Sequence, residues 1–373
     1  MKKKPARLLA VAAALLLLAA DVGDIEFFKG HVNGRVQGFD KVDPAIFRAA
    51  PEKSKYYTEV WFHEMQFAEQ GIIVIVNVQM HNLGLGSGYC DIGITVSDPS
   101  GNIYLERSSL DPDEVKIDPE GFGITVGPHR IELLGNTYHV KYQGKSIQGD
   151  FMYQIKTGSF QQGDGKVVFK QSGDWVMHNF PVPWADITGT LTYNGKTLKL
   201  RGAGSMNHDR QVLSPTRYMS NWRALWLYTP DATVSIVRAN AQDMSGRWSQ
   251  RVMVAEPGKI LFSSHDYKFL DLDLKPVAGC KVPCAMRYHV EAVDGDNWLK
   301  GEIKVTRIQE KKNILEDYPA IFRKLAALVV AETWSYRYWC DCKFEFRMDG
   351  KTRTIQGTGT GNYVSSLKAQ EKN

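Results

Sequence analysis

The stretch LTYNGKTLKLRGAG, residues 191–204, decides how the chain is read, because it occurs twice. FEFRMDGKTRTIQGTG, residues 344–359, echoes it: Gly195-Lys196 matches Gly350-Lys351, and Gly202 and Gly204 match Gly357 and Gly359. Asp98-Pro99 returns as Glu256-Pro257, and Trp61 as Trp222. The three pairs lie 155, 158 and 161 residues apart. A period that long marks a duplicated domain, not a solenoid, whose units run to roughly 20–50 residues. Each copy has the length of a small closed barrel, whose interior takes side chains or one apolar ligand.

The chain around the motif reads as strands and tight turns. Residues 72–76 and 92–96 are apolar, β-branched strands, and Arg130–Leu133 and Thr137–Val140 flank a hairpin at Gly135-Asn136. Asn194-Gly195, Asp294-Gly295 and Asp349-Gly350 are further two-residue hairpin signals, since type I′ turns need positive φ at both central positions. One helix is expected over AIFRKLAALVVAET, 320–333, with Asp317 as cap and Pro319 near its first turn. Ile321, Phe322, Leu325, Leu328 and Val329 line one face of it, against the outside of the second barrel. PAIFRAA at 44–50 shares its words with 319–326, at a spacing unrelated to the domain repeat.

The first twenty residues form a separate unit. MKKKPAR is basic, and LLAVAAALLLLAA after it is a 13-residue apolar run, the layout of a secretory signal. An exported protein of the periplasm or another envelope compartment is expected, with an uncleaved anchor as the alternative. The formal charge of +5 includes Lys2, Lys3, Lys4 and Arg7, so the remainder is nearly neutral. Nothing in it resembles a nucleic-acid surface.

Four of the five cysteines cluster as GCKVPC (Cys280, Cys284) and WCDC (Cys340, Cys342), with Cys90 apart. In an exported protein two disulfides are preferred to a four-thiolate zinc site, and three connectivities are open. His63-Glu64 has no second histidine at zinc-protease spacing. Nucleophile elbows, phosphate loops and dinucleotide fingerprints are absent from the sequence, and LGLGSG at 83–88 reads as a turn. No cofactor or metal is expected.

GAGSMNHDRQ, 202–211, is the polar stretch in this apolar setting. Two readings are open. Its glycines allow a corner at the domain junction, with Asn207, His208, Asp209 and Arg210 capping it. Alternatively, a carboxyl group against apolar walls stays protonated and serves as an acid, and tryptophan faces stabilise the cation it makes from an alkene. His208 and Asp209 with Trp222 supply those groups. The nine tryptophans, Trp226 among them, also suit a pocket for a long hydrocarbon.

Thr58-Glu59-Val60-Trp61-Phe62 resembles the T-E-W-W-Y opening of the AttH-like and carotenoid 1,2-hydratase (hydroxyneurosporene synthase) family. PVPWADITGTLTYNGKTLKLRGAGSMNHDRQ, 181–211, resembles its central block, which ends in G-x-G/A-W/Y-x-D-H-x-W-G. Gly202, Gly204 and His208 match that ending, as Thr58, Glu59 and Trp61 match the opening. Ser205 replaces the aromatic residue, Asn207 the aspartate and Arg210 the tryptophan. Either Asp209 supplies the acid from two positions on, or an insertion shifts the motif onto Asp209-Arg210-Gln211.

The resemblance implies a mainly β protein of two consecutive lipocalin-like (calycin) barrels, over residues 21–213 and 214–373. The expected activity is binding of a hydrophobic ligand, a lipid or isoprenoid, with peripheral membrane association. Glu59, Trp61, Arg210, Trp222 and Trp226 are the expected ligand contacts. The alternative is a hydratase or cyclase that protonates an alkene, with His208, Asp209 and Asn207 as its catalytic group. An envelope scaffold without a ligand is the third reading.

Overall fold

The computed structural model describes residues 25–27, 29, 44–82, 89–118, 123–170, 172–213, 221–240, 247–313 and 333–366. The expected signal segment, the turn at 83–88 and residues 320–332 of the expected helix lie outside them. Thr333, the last residue of that helical run, opens a strand. The described chain is almost all antiparallel β-structure, with one short α-helix, α1 (Pro44–Phe47), and two 3-10 turns at Ala68–Gln70 and Pro112–Glu114.

The first sheet contains β1 (Ile25–Phe27), β2 (Tyr57–Phe67), β3 (Ile72–Asn82), β4 (Tyr89–Ser97), β5 (Ile103–Leu110), β6 (Val115–Ile117) and β7 (Gly123–Val126). It continues through β8 (His129–Leu134), β9 (Thr137–Gln143), β10 (Gln148–Ile155), β11 (Phe160–Phe169), β12 (Asp174–Tyr193) and β13 (Lys196–Val212). The second contains β14 (Asn221–Tyr228), β15 (Thr233–Asn240), β16 (Arg247–Glu256), β17 (Lys259–Ser264) and β18 (Tyr267–Lys275). β19 (Cys284–Asp294), β20 (Asn297–Asn313), β21 (Thr333–Met348) and β22 (Lys351–Ser366) complete it.

The strand orders prove the duplication. The first sheet runs β5-β4-β3-β2-β13-β12-β10-β9-β8, and the second runs β17-β16-β15-β14-β22-β21-β20-β19-β18, the same path. β6 and β7 extend the first sheet, and β11 and β1 attach to β12 off the main path. The first sheet curls into a nearly closed barrel and the second into a half-barrel, so the molecule is two tandem lipocalin-like units. Glu106 on β5 helps close the first by accepting the backbone N–H groups of Lys145, Ser146 and Ile147.

Equivalent turns set equivalent registers. Asn194-Gly195 and Asp349-Gly350 have positive φ at both positions, as type I′ requires. The third such signal is corrected: Asp294 pairs with Asn297, so the turn is Gly295-Asp296, with Gly295 at φ 56°. Counted from the turn glycines Gly195 and Gly350, Gly202 corresponds to Gly357 and His208 to Tyr363. His208 pairs across to Trp61, whereas Tyr363 pairs to Arg223. Trp61 is therefore equivalent to Arg223 and not to Trp222, which lies one residue away on the opposite face.

Strand alternation sorts side chains between two environments. On β2, Trp61, Met65 and Phe67 enter the first barrel, where they pack with Val74, Val76, Tyr138, Phe151 and Tyr153. Their neighbours Phe62, Glu64 and Gln66 point the other way, toward the second unit. There Phe62, Ile73 and Ile75 pack with Trp339, and Phe160 and Phe180 pack with Met253, Ala255 and Ile260. Hydrogen bonds cross the same junction. Gln66 donates to Trp226 O at 3.2 Å, Arg307 to Pro99 O at 3.0 Å, and Gln309 to Asp98 O.

Candidate functional site

GAGSMNHDRQ lies within a strand and is not a corner. Its glycines serve close approach: a Cβ on Gly202 would stand 2.0 Å from Gln66 O, and one on Gly204 2.1 Å from Glu64 O. Side chains smaller than methyl let β13 lie against β2. Because a strand alternates, the polar run divides. Met206 and His208 face the first barrel, while Ser205, Asn207 and Asp209 face the second unit.

His208 is buried beneath Trp61, whose ring stacks on it at 4.6 Å with 12° between planes. Its Nδ1 is 2.7 Å from Ile46 O and its Nε2 2.8 Å from Glu59 Oε1, so both nitrogens face acceptors. Glu59, fully buried, also accepts Ala50 N–H at 2.9 Å, and the Tyr57 hydroxyl lies between Glu59 Oε2 and Ala50 O. Trp61 Nε1 donates to Phe47 O at 3.2 Å. The four side chains thus grip the backbone of residues 46–50, and Phe47 enters edge-on against Tyr138. This polar node fastens an N-terminal strap to the barrel.

A second buried histidine lies deeper. His63 meets Val76 O at 2.8 Å and Tyr138 Oη at 2.7 Å, and burial pulls its pKa down to about 4. The ring is neutral, donating to the carbonyl and accepting from the phenol. The second unit carries a different node at the equivalent height. Arg223 stacks 3.7 Å from the Tyr363 ring centre, pairs with Asp271 and donates to Asn221 and Val364 O. Its donors are engaged, and the node is structural.

The face between the units is less complete. Glu64 is buried and accepts from Thr360 of β22 and from Gln66. Burial raises its pKa, only partly opposed by those donors and by the more distant Arg337 charge. Tyr228 stands on this face near Glu64 and Ser205, its phenol also pushed well up by burial. The indole N–H groups of Trp222, Trp226 and Trp339, and the Asn207 carbonyl oxygen, are buried without a partner. Buried polar groups are nearly always bonded, so these groups are open to a further partner, as are the Tyr153 and Tyr288 hydroxyls inside the two units.

The expected residues therefore fall into two places. Glu59, Trp61 and His208 meet in the strap node. Asn207, Asp209, Trp222 and Trp226 face the inter-barrel junction, with Asp209 bonded to His178 at 3.0 Å. His208 and Asp209, expected to act together beside Trp222, stand on opposite sides of β13. Arg210 is half-buried and donates to Met177 Sδ at 3.0 Å.

Tyr228 and Arg251 carried no distinguishing pattern in the sequence, and His63-Glu64 read only as an incomplete zinc-protease motif. The signal for Glu64 lay in the neighbouring apolar residues: a strand buried on both faces has a partner on each.

No two cysteine sulfurs stand at disulfide distance, and Cys340 and Cys342, the same-face neighbours on β21, have sulfurs 3.6 Å apart. Alternate residues of one strand project side by side, which disfavours the disulfide dihedral. Among the described residues no three His, Cys, Asp or Glu side chains gather as a metal site. A shallow groove lined by Glu302, Lys304, Asp341, Lys343, Gln356 and Thr358 lies on the outer face of β20–β22, away from both polar clusters.

Fold and junction together define a tandem lipocalin-like protein. No family model matches the sequence, and no curated protein does. Among solved structures, a protein assigned to AttH from Nitrosomonas europaea is similar, with TM-score 0.58 at 10% identity over 88% of this chain and 99% of that one. Kievitone hydratase from Nectria haematococca gives TM-score 0.52 at 14% identity, over 91% and 99% of the two chains. CghA in complex with Sch210972 gives 0.57 at 11% identity, over 90% and 95%. At these identities the likeness is one of fold, and the AttH-like resemblance of residues 58–62 and 181–211 holds at that level.

Proposed function

We propose that this protein binds a hydrophobic small molecule, a lipid or isoprenoid, on the face where its two barrels meet. The carrying observation is the set of unpartnered indole N–H groups of Trp222, Trp226 and Trp339 on that face. Ring faces supply apolar contact, and the N–H groups give a ligand oxygen somewhere to bond. The first barrel is a poorer location, because Trp61, Phe67, Tyr138, Phe151 and Tyr153 fill it. The basic and apolar N-terminal run supports an exported protein with access to membrane lipid.

Titration of tryptophan fluorescence with geranylgeraniol tests this reading. Saturable quenching is expected, weakened severalfold in Trp226→Phe. Absence of any saturable change in the wild-type protein overturns it.

A second reading, an acid-catalysed hydratase or cyclase, is favoured by one observation: Glu64 is held toward its neutral form by burial. The acid assigned to Asp209 is better placed at Glu64, which among the described residues has no cation at bonding distance. Its O–H would give a proton to the alkene π pair. Water then bonds to the cation and returns a proton to the carboxylate. One structural neighbour is named a hydratase, which agrees with this chemistry. A geranylgeraniol product heavier by one water, lost in Glu64→Gln, is the expected result. Unchanged turnover in that variant rejects Glu64 as the acid.

A further inference from the structure

Arg251 lies on β16, on the face turned toward the first barrel. Val252 and Val254 beside it enter the core of the second unit, so alternation sends Arg251 and Met253 to the junction. The residue is buried. Its guanidinium carbon is 3.1 Å from the centre of the Phe180 ring and 5.7 Å from that of Phe160. One nitrogen, Nη2, donates to Ser235 Oγ at 2.9 Å. Nε and Nη1 have no partner.

An unpaired buried guanidinium is costly, because desolvation of the charge is not returned by an ion pair. Asp209 is the carboxylate whose charge acts on it, but Asp209 is bonded to His178 instead. Burial lowers the Arg251 pKa to about 9, which still leaves it a cation at neutral pH. Arg223 in the same unit shows the contrast: equally buried, it is paired with Asp271 and bonded on every side. Local packing alone does not explain Arg251, since an apolar side chain would fill the space between Phe160, Phe180 and Met253 at lower cost.

We propose that Arg251 receives the carboxylate of an apolar acid, such as a fatty or isoprenoid acid, whose chain lies along the inter-barrel face. This rests on the ligand site proposed above and names the chemical class of its ligand. A carboxylate takes two parallel N–H donors, and the second Nη2 N–H completes such a fork with the free Nε or the free Nη1, as Nε and Nη2 of Arg223 do toward Asp271. One negative charge compensates one guanidinium. A phosphate would bring a second negative charge toward Asp209. Phe160, Phe180, Met253 and Ile260 supply the apolar wall for the first part of the chain.

The test compares palmitic acid with cetyl alcohol, which has the same chain and no charge, by tryptophan fluorescence at neutral pH. The wild-type protein should bind the acid at least tenfold more tightly. In Arg251→Met, which removes the buried charge but keeps an unbranched side chain, that preference should vanish while alcohol binding persists. Arg251→Lys keeps the charge but loses the planar fork, and should show a reduced preference. Equal wild-type affinity for acid and alcohol overturns the assignment to Arg251 and leaves the ligand site standing. A preference that survives in Arg251→Met also overturns it. Failure of both probes to bind removes this inference together with the site.

Discussion

His208 and Asp209 are adjacent in the chain and face opposite sides of one strand: His208 Nε2 is 2.8 Å from Glu59 inside the first barrel, and Asp209 is 3.0 Å from His178 outside it. The two should respond very differently to substitution. His208→Phe leaves Glu59 buried beside only two remaining donors, and should cost about 3–5 kcal/mol. Asp209→Asn removes a half-exposed contact and should cost about 1 kcal/mol or less. Urea denaturation at neutral pH measures both. Similar losses for the two variants would contradict the division of the strand.

Glu64 gives a pH signature. Its pKa is raised by burial, so the folded chain keeps a proton that the unfolded chain releases above about 4.5, the ordinary glutamic acid value. Unfolding then releases a proton, and rising pH favours it. Stability relative to Glu64→Gln should therefore fall as pH rises above about 4.5 and level off beyond the folded pKa. Thermal melts of both proteins across pH 4 to 8 test the sign. A flat difference means that Glu64 is ionised in the folded protein.

Gly202 and Gly357 hold equivalent places in the two units but differ in surroundings. A Cβ on Gly202 would meet Gln66 O at 2.0 Å, whereas one on Gly357 meets only Leu227 and Thr229 side chains at 3.3 and 3.5 Å. Gly202→Ala should lose at least about 2 kcal/mol by forcing β13 off β2. Gly357→Ala should be neutral or gain up to about 1 kcal/mol through the unfolded chain. Chemical denaturation of the two variants decides it.

The cysteines make a redox prediction. Cys90 and Cys284 are buried, and burial pushes both thiols up to about 12, while Cys280 is partly exposed. A thiol reagent should find Cys280 first in the native protein and all five after denaturation without reductant. One reactive thiol after denaturation would restore the disulfide reading.

The sequence by itself determined the architecture. Asn194-Gly195 and Asp349-Gly350 can form hairpin turns wherever they occur, because φ preference is local. Their repetition, with Gly202/Gly204 and Gly357/Gly359 following at equal distance, sufficed for two tandem units, though not for the second being only a half-barrel. Glu59, Trp61 and His208 were each legible as candidates, but in two separate groups, and neither their meeting nor their grip on residues 46–50 was. Tertiary structure alone decided which polar residues meet. A single-residue step in a strand reverses the face, so Trp222 could not be told from Arg223 as the partner of Trp61 until the register was known. Glu64 and Arg251 are ordinary surface residue types in the sequence. They stand out only because a second unit covers their faces and takes away the water that would otherwise solvate them.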